Sequence, residues 1–229
     1  AIGNAAREAI RLADVVQEML DGVLKVLKTD DSPLAARLRA RDDEIDRLYT
    51  AIKLYLTQVS REALDATESK RWADIIQFTI NMEHAGDIIE HVLIDVVEKK
   101  IAHGLSFSAA GMREIEDLHA RLLGNLKLAV AVFLHGDLKT AQQLIAEKVN
   151  FRELEMHYAD THLQRLSVST PQSIETSSLH LDLLADFKRI NSLFCAMAYP
   201  ILEQAGVLSK TRVVAEPSAH FAADEHRPA

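Results

Sequence analysis

The chain has 229 residues, 48% of them hydrophobic, and a formal net charge of −8. That is enough apolar material for a sizeable core in one or two domains. The acidity, with no basic stripe carrying interleaved aromatics, excludes a nucleic-acid binder, and eight glycines, five prolines and 5% aromatics leave little turn or sheet material, so the composition is that of a helical protein.

Six long helical patterns follow one another. The first runs from about Asn4 to Lys28, with Ile10, Val16, Leu20, Leu24 and Leu27 on one stripe. Thr29-Asp30-Asp31-Ser32-Pro33 breaks it: Asp31 or Ser32 suits a cap, and Pro33 a first helical position. The second pattern spans Pro33 to Leu64, carrying Leu38, Ile45, Leu48, Ile52, Leu56 and Val59 at steps of three, four or seven. The third spans Glu68 to His103 and stops at Gly104, a plausible left-handed terminator. Ser106-Phe107-Ser108 opens a fourth, which ends at His135-Gly136. Asp137 caps a fifth, running to about Leu166. Residues 167–173 are polar, contain Pro171 and read as a loop. The sixth covers about Ile174 to Gln204, is kinked or shortened by Tyr199-Pro200, and ends at Gly206. The tail beyond it, 207–229, reads as extended or disordered.

Long helices joined by short loops pack as antiparallel bundles. Helices one to three also align with four to six at an offset of roughly 105 residues, a period longer than solenoid repeats use. Leu12 then falls near Leu118, Glu83 near Lys188 and Asp87 near Ser192. The predicted fold is all-α: two tandem antiparallel three-helix bundles from a duplicated unit, residues 1–104 and 105–206.

The motifs that carry chemistry are two acidic doublets at i, i+4: Asp42 and Asp46 on the second helix, Glu83 and Asp87 on the third. Residues four apart share a helix face, and like charges there repel. The row Ile76, Ile80, Glu83, Asp87, His91, Ile94 sets two carboxylates among apolar residues, and Leu38, Asp42, Asp46, Tyr49 is a comparable row. Gly86 beside them lowers helix propensity by about 1 kcal/mol relative to Ala, and a helical Gly commonly admits a close neighbour. If the two helices are neighbours, Asp42, Asp46, Glu83 and Asp87 converge on a cation. Their hard oxygens suit magnesium, manganese, calcium or iron better than a soft-site metal. A solvated face, or neutralisation by Arg39, Arg41 or Arg47, is the competing reading. His84 and His91 are secondary ligand candidates, more ordinarily surface residues. Trp72 and Phe78 read as core.

Cys195, the one cysteine, excludes an intramolecular disulfide and a cysteine-based zinc site. Between Phe194 and Ala196 on an apolar helix it reads as buried and inert. No run reaches the ~18 apolar residues a membrane span needs, and these residues do not show the charged-then-apolar pattern of a signal peptide. The helical pattern starts almost at Ala1, as in a piece of a longer chain. Enzyme signatures are absent: no phosphate loop, nucleophile elbow, zinc helix or dinucleotide fingerprint.

Arg41-Asp42-Asp43-Glu44-Ile45-Asp46-Arg47-Leu48 and Asn81-Met82-Glu83-His84-Ala85-Gly86-Asp87-Ile88-Ile89 resemble the paired acidic motifs of PhoU domains. The resemblance runs from about Ala6 to Ala205. It implies a duplicated three-helix bundle whose motifs bind multinuclear metal clusters and which regulates phosphate uptake and signalling. His162-Leu163-Gln164-Arg165-Leu166, Ser173 to Leu184 and Lys188-Arg189-Ile190-Asn191-Ser192 are similar to the carboxy-terminal PhoU-like region of bacterial sodium/phosphate cotransporters. In those proteins a membrane domain comes first and this domain follows in the cytoplasm.

Two departures matter. Lys188 and Ser192 stand where the second repeat's motif has acids, and its other doublet is reduced to Glu147 near Phe151, or is lost entirely if the register shifts by one. His84-Ala85 replaces the usual Arg-Ile between the acids. The resemblance therefore implies one metal site, in the first bundle, holding a divalent or ferric ion of iron, manganese, magnesium, zinc or calcium.

The leading expectation is a non-enzymatic cytoplasmic regulatory domain of a sodium-dependent phosphate transporter. Its partners would be the membrane domain of its own polypeptide, phosphate, and a second copy as a homodimer. The alternative is a free-standing PhoU-like adaptor acting through protein contacts without metal. A di-metal carboxylate enzyme would need Glu-x-x-His spacing, which neither doublet supplies.

Overall fold

The computed structural model describes residues 2–60, 63–167 and 171–207, and its regular structure is entirely helical. The first bundle is α1 (Ile2–Thr29), α2 (Ser32–Arg39), α3 (Asp42–Val59) and α4 (Ala66–Asp95), the last extended by a π-helical segment, Val96–Ile101. The second is α5 (Ala109–His135), α6 (Leu138–Ser167), α7 (Pro171–Glu175), α8 (Ser177–Cys195) and α9 (Tyr199–Gln204), with a 3₁₀ turn at Ala196–Ala198. Within each unit three long helices pack on one another: α1, α3 and α4 in the first, α5, α6 and α8 in the second. The proposed tail lies outside the described residues beyond Val207.

Local chemistry accounts for most boundaries. Asp31 caps α2, its carboxylate accepting from Leu34 N at 2.8 Å with Pro33 in the first turn. Asp65 and Glu68 form a reciprocal capping box at the start of α4. Ser108 and Asp137 cap α5 and α6 as expected. Gly104, Gly136 and Gly206 all adopt positive φ just past a helical segment.

Four expectations need correction. The predicted second helix is two: the chain turns at Ala40–Arg41, where no Gly or Pro marks a break, and Asp42 becomes the first residue of α3. The expected 167–173 loop is shorter, because Pro171 opens the short helix α7. The kink near Tyr199-Pro200 falls one turn earlier, in the 3₁₀ turn, and Pro200 sits in the first turn of α9. On α4 the buried stripe is Ile75, Phe78, Met82, Ala85, Ile89, Val92. The row through Ile76, Glu83 and Asp87 lies at its flank, which is where a carboxylate reaches water. Trp72 is half-buried, its indole donating to Leu56 O at 2.9 Å.

The core is continuous across both units. Phe78 of α4 stacks on Phe133 of α5, ring centroids 4.1 Å apart and planes within 13°. Arg71 covers the Phe133 ring and donates to its carbonyl at 2.6 Å. A second tie is His119 of α5, whose Nε2 lies 2.7 Å from Leu20 O of α1. Burial pulls the His119 imidazole below its usual range, so it spans the junction neutral. Replacing Phe78 with Ala removes a fully buried ring and its stack. The expected loss is about 3–5 kcal/mol, read as a lower urea midpoint with native helicity retained at zero urea.

Candidate functional site

Three of the four predicted ligands meet. Carboxylate oxygens of Asp42, Asp46 and Asp87 lie within 4.8 Å of one another, at the contact of α3 and α4. Glu83 stands outside that trio but within reach of its field: burial first, then Asp87 and Asp46, push its carboxyl above the usual range. The break before Asp42 serves the site. It places Asp42, Asp43 and Glu44 in the first turn of a new helix, where the exposed N–H ends favour negative charge. Gly86 serves it too. A Cβ there would sit 2.7 Å from Ile45 Cδ1 and 3.1 Å from Asp42 Oδ1, so its missing side chain is what lets α3 close on α4.

The competing counter-charges go elsewhere. Arg39 pairs with Glu90 at 3.5 Å, Arg41 with Glu18 at 2.6 Å and with Glu44, and Arg47 donates to the Asp43 carbonyl. His84 is exposed and lies 3.5 Å from Glu83, while His91 is 3.9 Å from Asp95. Asp42 Oδ1 is buried with no hydrogen-bond partner. Burial, then Asp87, Glu90, Asp46 and Asp43, push the Asp42 carboxyl up to about 7. Burial and then Asp46 raise Asp87 as well. The fit to a hard cation is direct, because oxygens about 2.0–2.6 Å from one ion lie no more than roughly 5 Å apart.

Several features at or near the site are not legible as motifs. Glu90, one turn beyond Asp87, adds to the field on Asp42; its three-residue step from Asp87 was the available signal. A cleft of about 570 Å³ opens where α4 meets α8, lined by His84, Asp87 and Ile88 on one wall and Lys188, Arg189 and Ser192 on the other. In the second bundle Glu114 takes both guanidinium nitrogens of Arg165 at 2.6 Å and the Thr161 hydroxyl at 3.0 Å, with His180 Nε2 3.2 Å away. Burial alone would raise that carboxyl, but His180, Arg165 and Thr161 outweigh it and hold it down to about 2. His162 stacks on His180 at 4.5 Å, and burial, then His180 and Arg165, depress it to about 4.

The acidic contact thus lies in the first of two three-helix bundles. Residues 9–96 match the PhoU domain. The match covers α1 to α4 and therefore the whole carboxylate contact. The chain shares the fold of PhoU from Pseudomonas aeruginosa, with a TM-score of 0.80 at 16% identity over 89% of this chain and 96% of that one. It is likewise similar to the phosphate transport system regulatory protein PhoU from Streptococcus pneumoniae, with a TM-score of 0.78 at 13% identity over 91% and 97%. At higher identity it resembles YjbB, a protein whose name proposes inorganic phosphate export. The Salmonella typhimurium protein is 46% identical over 204 residues and the Escherichia coli K12 protein 45%. Those residues are 89% of this chain but 37% of either relative, so the chain spans little more than a third of the length of the curated relatives it matches. Among the described residues no helix is long and apolar enough to cross a membrane.

The raised carboxyls fix a pH dependence. Asp42 holds its proton in the folded chain up to about pH 7 and releases it near 4 when unfolded. The folded form therefore binds more protons between those values, and its stability falls as pH rises through that window. In chelator the melting temperature should decline from pH 4.5 to 7.5 more steeply for the parent than for Asp42→Asn. Equal slopes would contradict the assignment.

Proposed function

We propose that this chain is a PhoU-like regulatory module of phosphate transport that acts by contact with a transporter. The observation that carries the reading is 45–46% identity over 204 residues to proteins named for phosphate export, in a chain whose first bundle matches the PhoU domain. The chemistry agrees. The Cys195 thiol is buried and pushed up to about 12, which leaves it unreactive.

The length of the relatives favours a second reading, in which the module is the cytoplasmic regulatory part of a larger, sodium-dependent phosphate transporter. In both readings the module acts on the same class of partner, supplied in trans or in cis. Phosphate flux separates them. As a separate polypeptide, the adaptor should shift ³²P-phosphate flux severalfold in cells carrying the transporter. The domain of a larger protein should do so only when joined to the membrane part. No effect in either arrangement would sink both readings.

We further infer that Asp42, Asp46 and Asp87, with Glu83 beside them, hold a divalent or ferric ion. The buried orphan oxygen of Asp42 and the arginines turned to other partners support this. Such an ion would supply the positive charge that lets α3 and α4 keep their register with every carboxylate ionised. Metal analysis of purified protein should show one or more hard ions per chain. Asp42→Asn with Asp87→Asn should lose most of that content while keeping the parent's helicity. Equal content in parent and variant would remove the ion from the account and leave a metal-free adaptor.

A further inference from the structure

The second bundle meets the same electrostatic problem and answers it differently. Helix α8 packs on α6 as α4 packs on α3. On α8, Lys188 and Ser192 fall where the repeat places Glu83 and Asp87 on α4. Facing Lys188 from α6 is not Glu147 but Glu155, whose side chain is only 10% exposed. Lys188 Nζ lies 2.9 Å from Glu155 Oε1, while Glu155 Oε2 is buried without a partner. A buried carboxylate between two helices thus has its positive charge supplied by a side chain.

We propose that Lys188 takes the place of a metal ion, its tethered ammonium neutralising Glu155, so that the second bundle excludes metal and is two substitutions away from binding it. Three facts carry this. The pair brings one negative and one positive charge together, leaving no net attraction for a divalent cation, and a cation entering there would meet the ammonium at close range. Ser192, one turn along, offers a neutral hydroxyl in place of a carboxylate. Yet the position is open: Lys188 and Ser192 line the same cleft as Asp87, so an entry path from water exists. Lys188→Glu with Ser192→Asp would rebuild on α8 the i, i+4 pair of Glu83 and Asp87, with position 188 against Glu155.

Two measurements test this, each read as a difference from the parent, so that the result stands whether or not the first bundle carries an ion. The first is a thermal double-mutant cycle in chelator. Lys188→Met strands a buried carboxylate and should lower the melting temperature by roughly 5–10 °C; adding Glu155→Gln should recover most of that loss. An unchanged melting temperature for Lys188→Met, or no recovery in the double variant, overturns the pairing. The second is manganese uptake by equilibrium dialysis. Lys188→Glu/Ser192→Asp, refolded with Mn²⁺, should hold about one more ion per chain than the parent. Ser192→Asp alone, with the ammonium in place, should hold no more than the parent. Extra manganese in Ser192→Asp, or none in the refolded acidic variant, overturns the replacement. Should the acidic variant fold only with manganese present, the proposal is upheld, because the ion is then doing the work of the lost ammonium.

Discussion

The site is governed by a conflict between packing and charge. Ile45 is fully buried where α3 closes on Gly86, and burying such a side chain is worth about 2–3 kcal/mol. The same closure brings three carboxylates within 4.8 Å. At about 5 Å each like-charged pair costs roughly 1–3 kcal/mol for effective dielectric constants between about 80 and 20. Asp46 and Asp87 are exposed and screened by water, so the three pairs together come near the apolar gain, with the cost falling chiefly on half-buried Asp42. The closed arrangement therefore calls for a positive charge or a proton, and the raised Asp42 carboxyl is the protonic answer when no cation is supplied.

The two halves of the repeat give that conflict different outcomes. In the first, Arg39 and Arg41 are drawn off to Glu90, Glu18 and Glu44, and of the acidic trio Asp87 reaches the cleft. In the second, positive groups reach inward: Lys188 to Glu155, and Arg165 to Glu114 through two short hydrogen bonds. One half is electrostatically open and the other closed. The cleft at their junction carries opposite signs on its two walls, His84 and Asp87 facing Lys188 and Arg189.

How much of this was legible in the sequence depends on the range of the interaction. Caps and terminators are local, and Asp31, Ser108, Asp137, Gly104 and Gly136 were readable because their chemistry acts within a turn. The meeting of Asp42, Asp46 and Asp87 was readable because spacing fixes faces and short loops make neighbours, while the place of Glu83 outside that trio was not. The break at Ala40–Arg41 was not, because both residues are good helix formers. Nor was the π-helical segment that seats buried Lys100 against Asp30. On α4 the twin pairs Ile75-Ile76 and Ile88-Ile89 offer two equally apolar stripes, and only the packing of α1 and α3 chooses between them. The Glu114 knot draws on α5, α6 and α8, and no periodicity links residues so far apart along the chain.

The Phe78–Phe133 stack has a consequence for how this molecule could be divided. Each ring sits in a different half of the repeat, and each is the other's lid. Severing the chain at Gly104 would leave two flat, greasy faces on otherwise finished surfaces, each a ready template for its lost counterpart. Two such fragments mixed together would find one another through those faces, and either one alone would be prone to clump. The two bundles thus look autonomous on paper and are welded in practice.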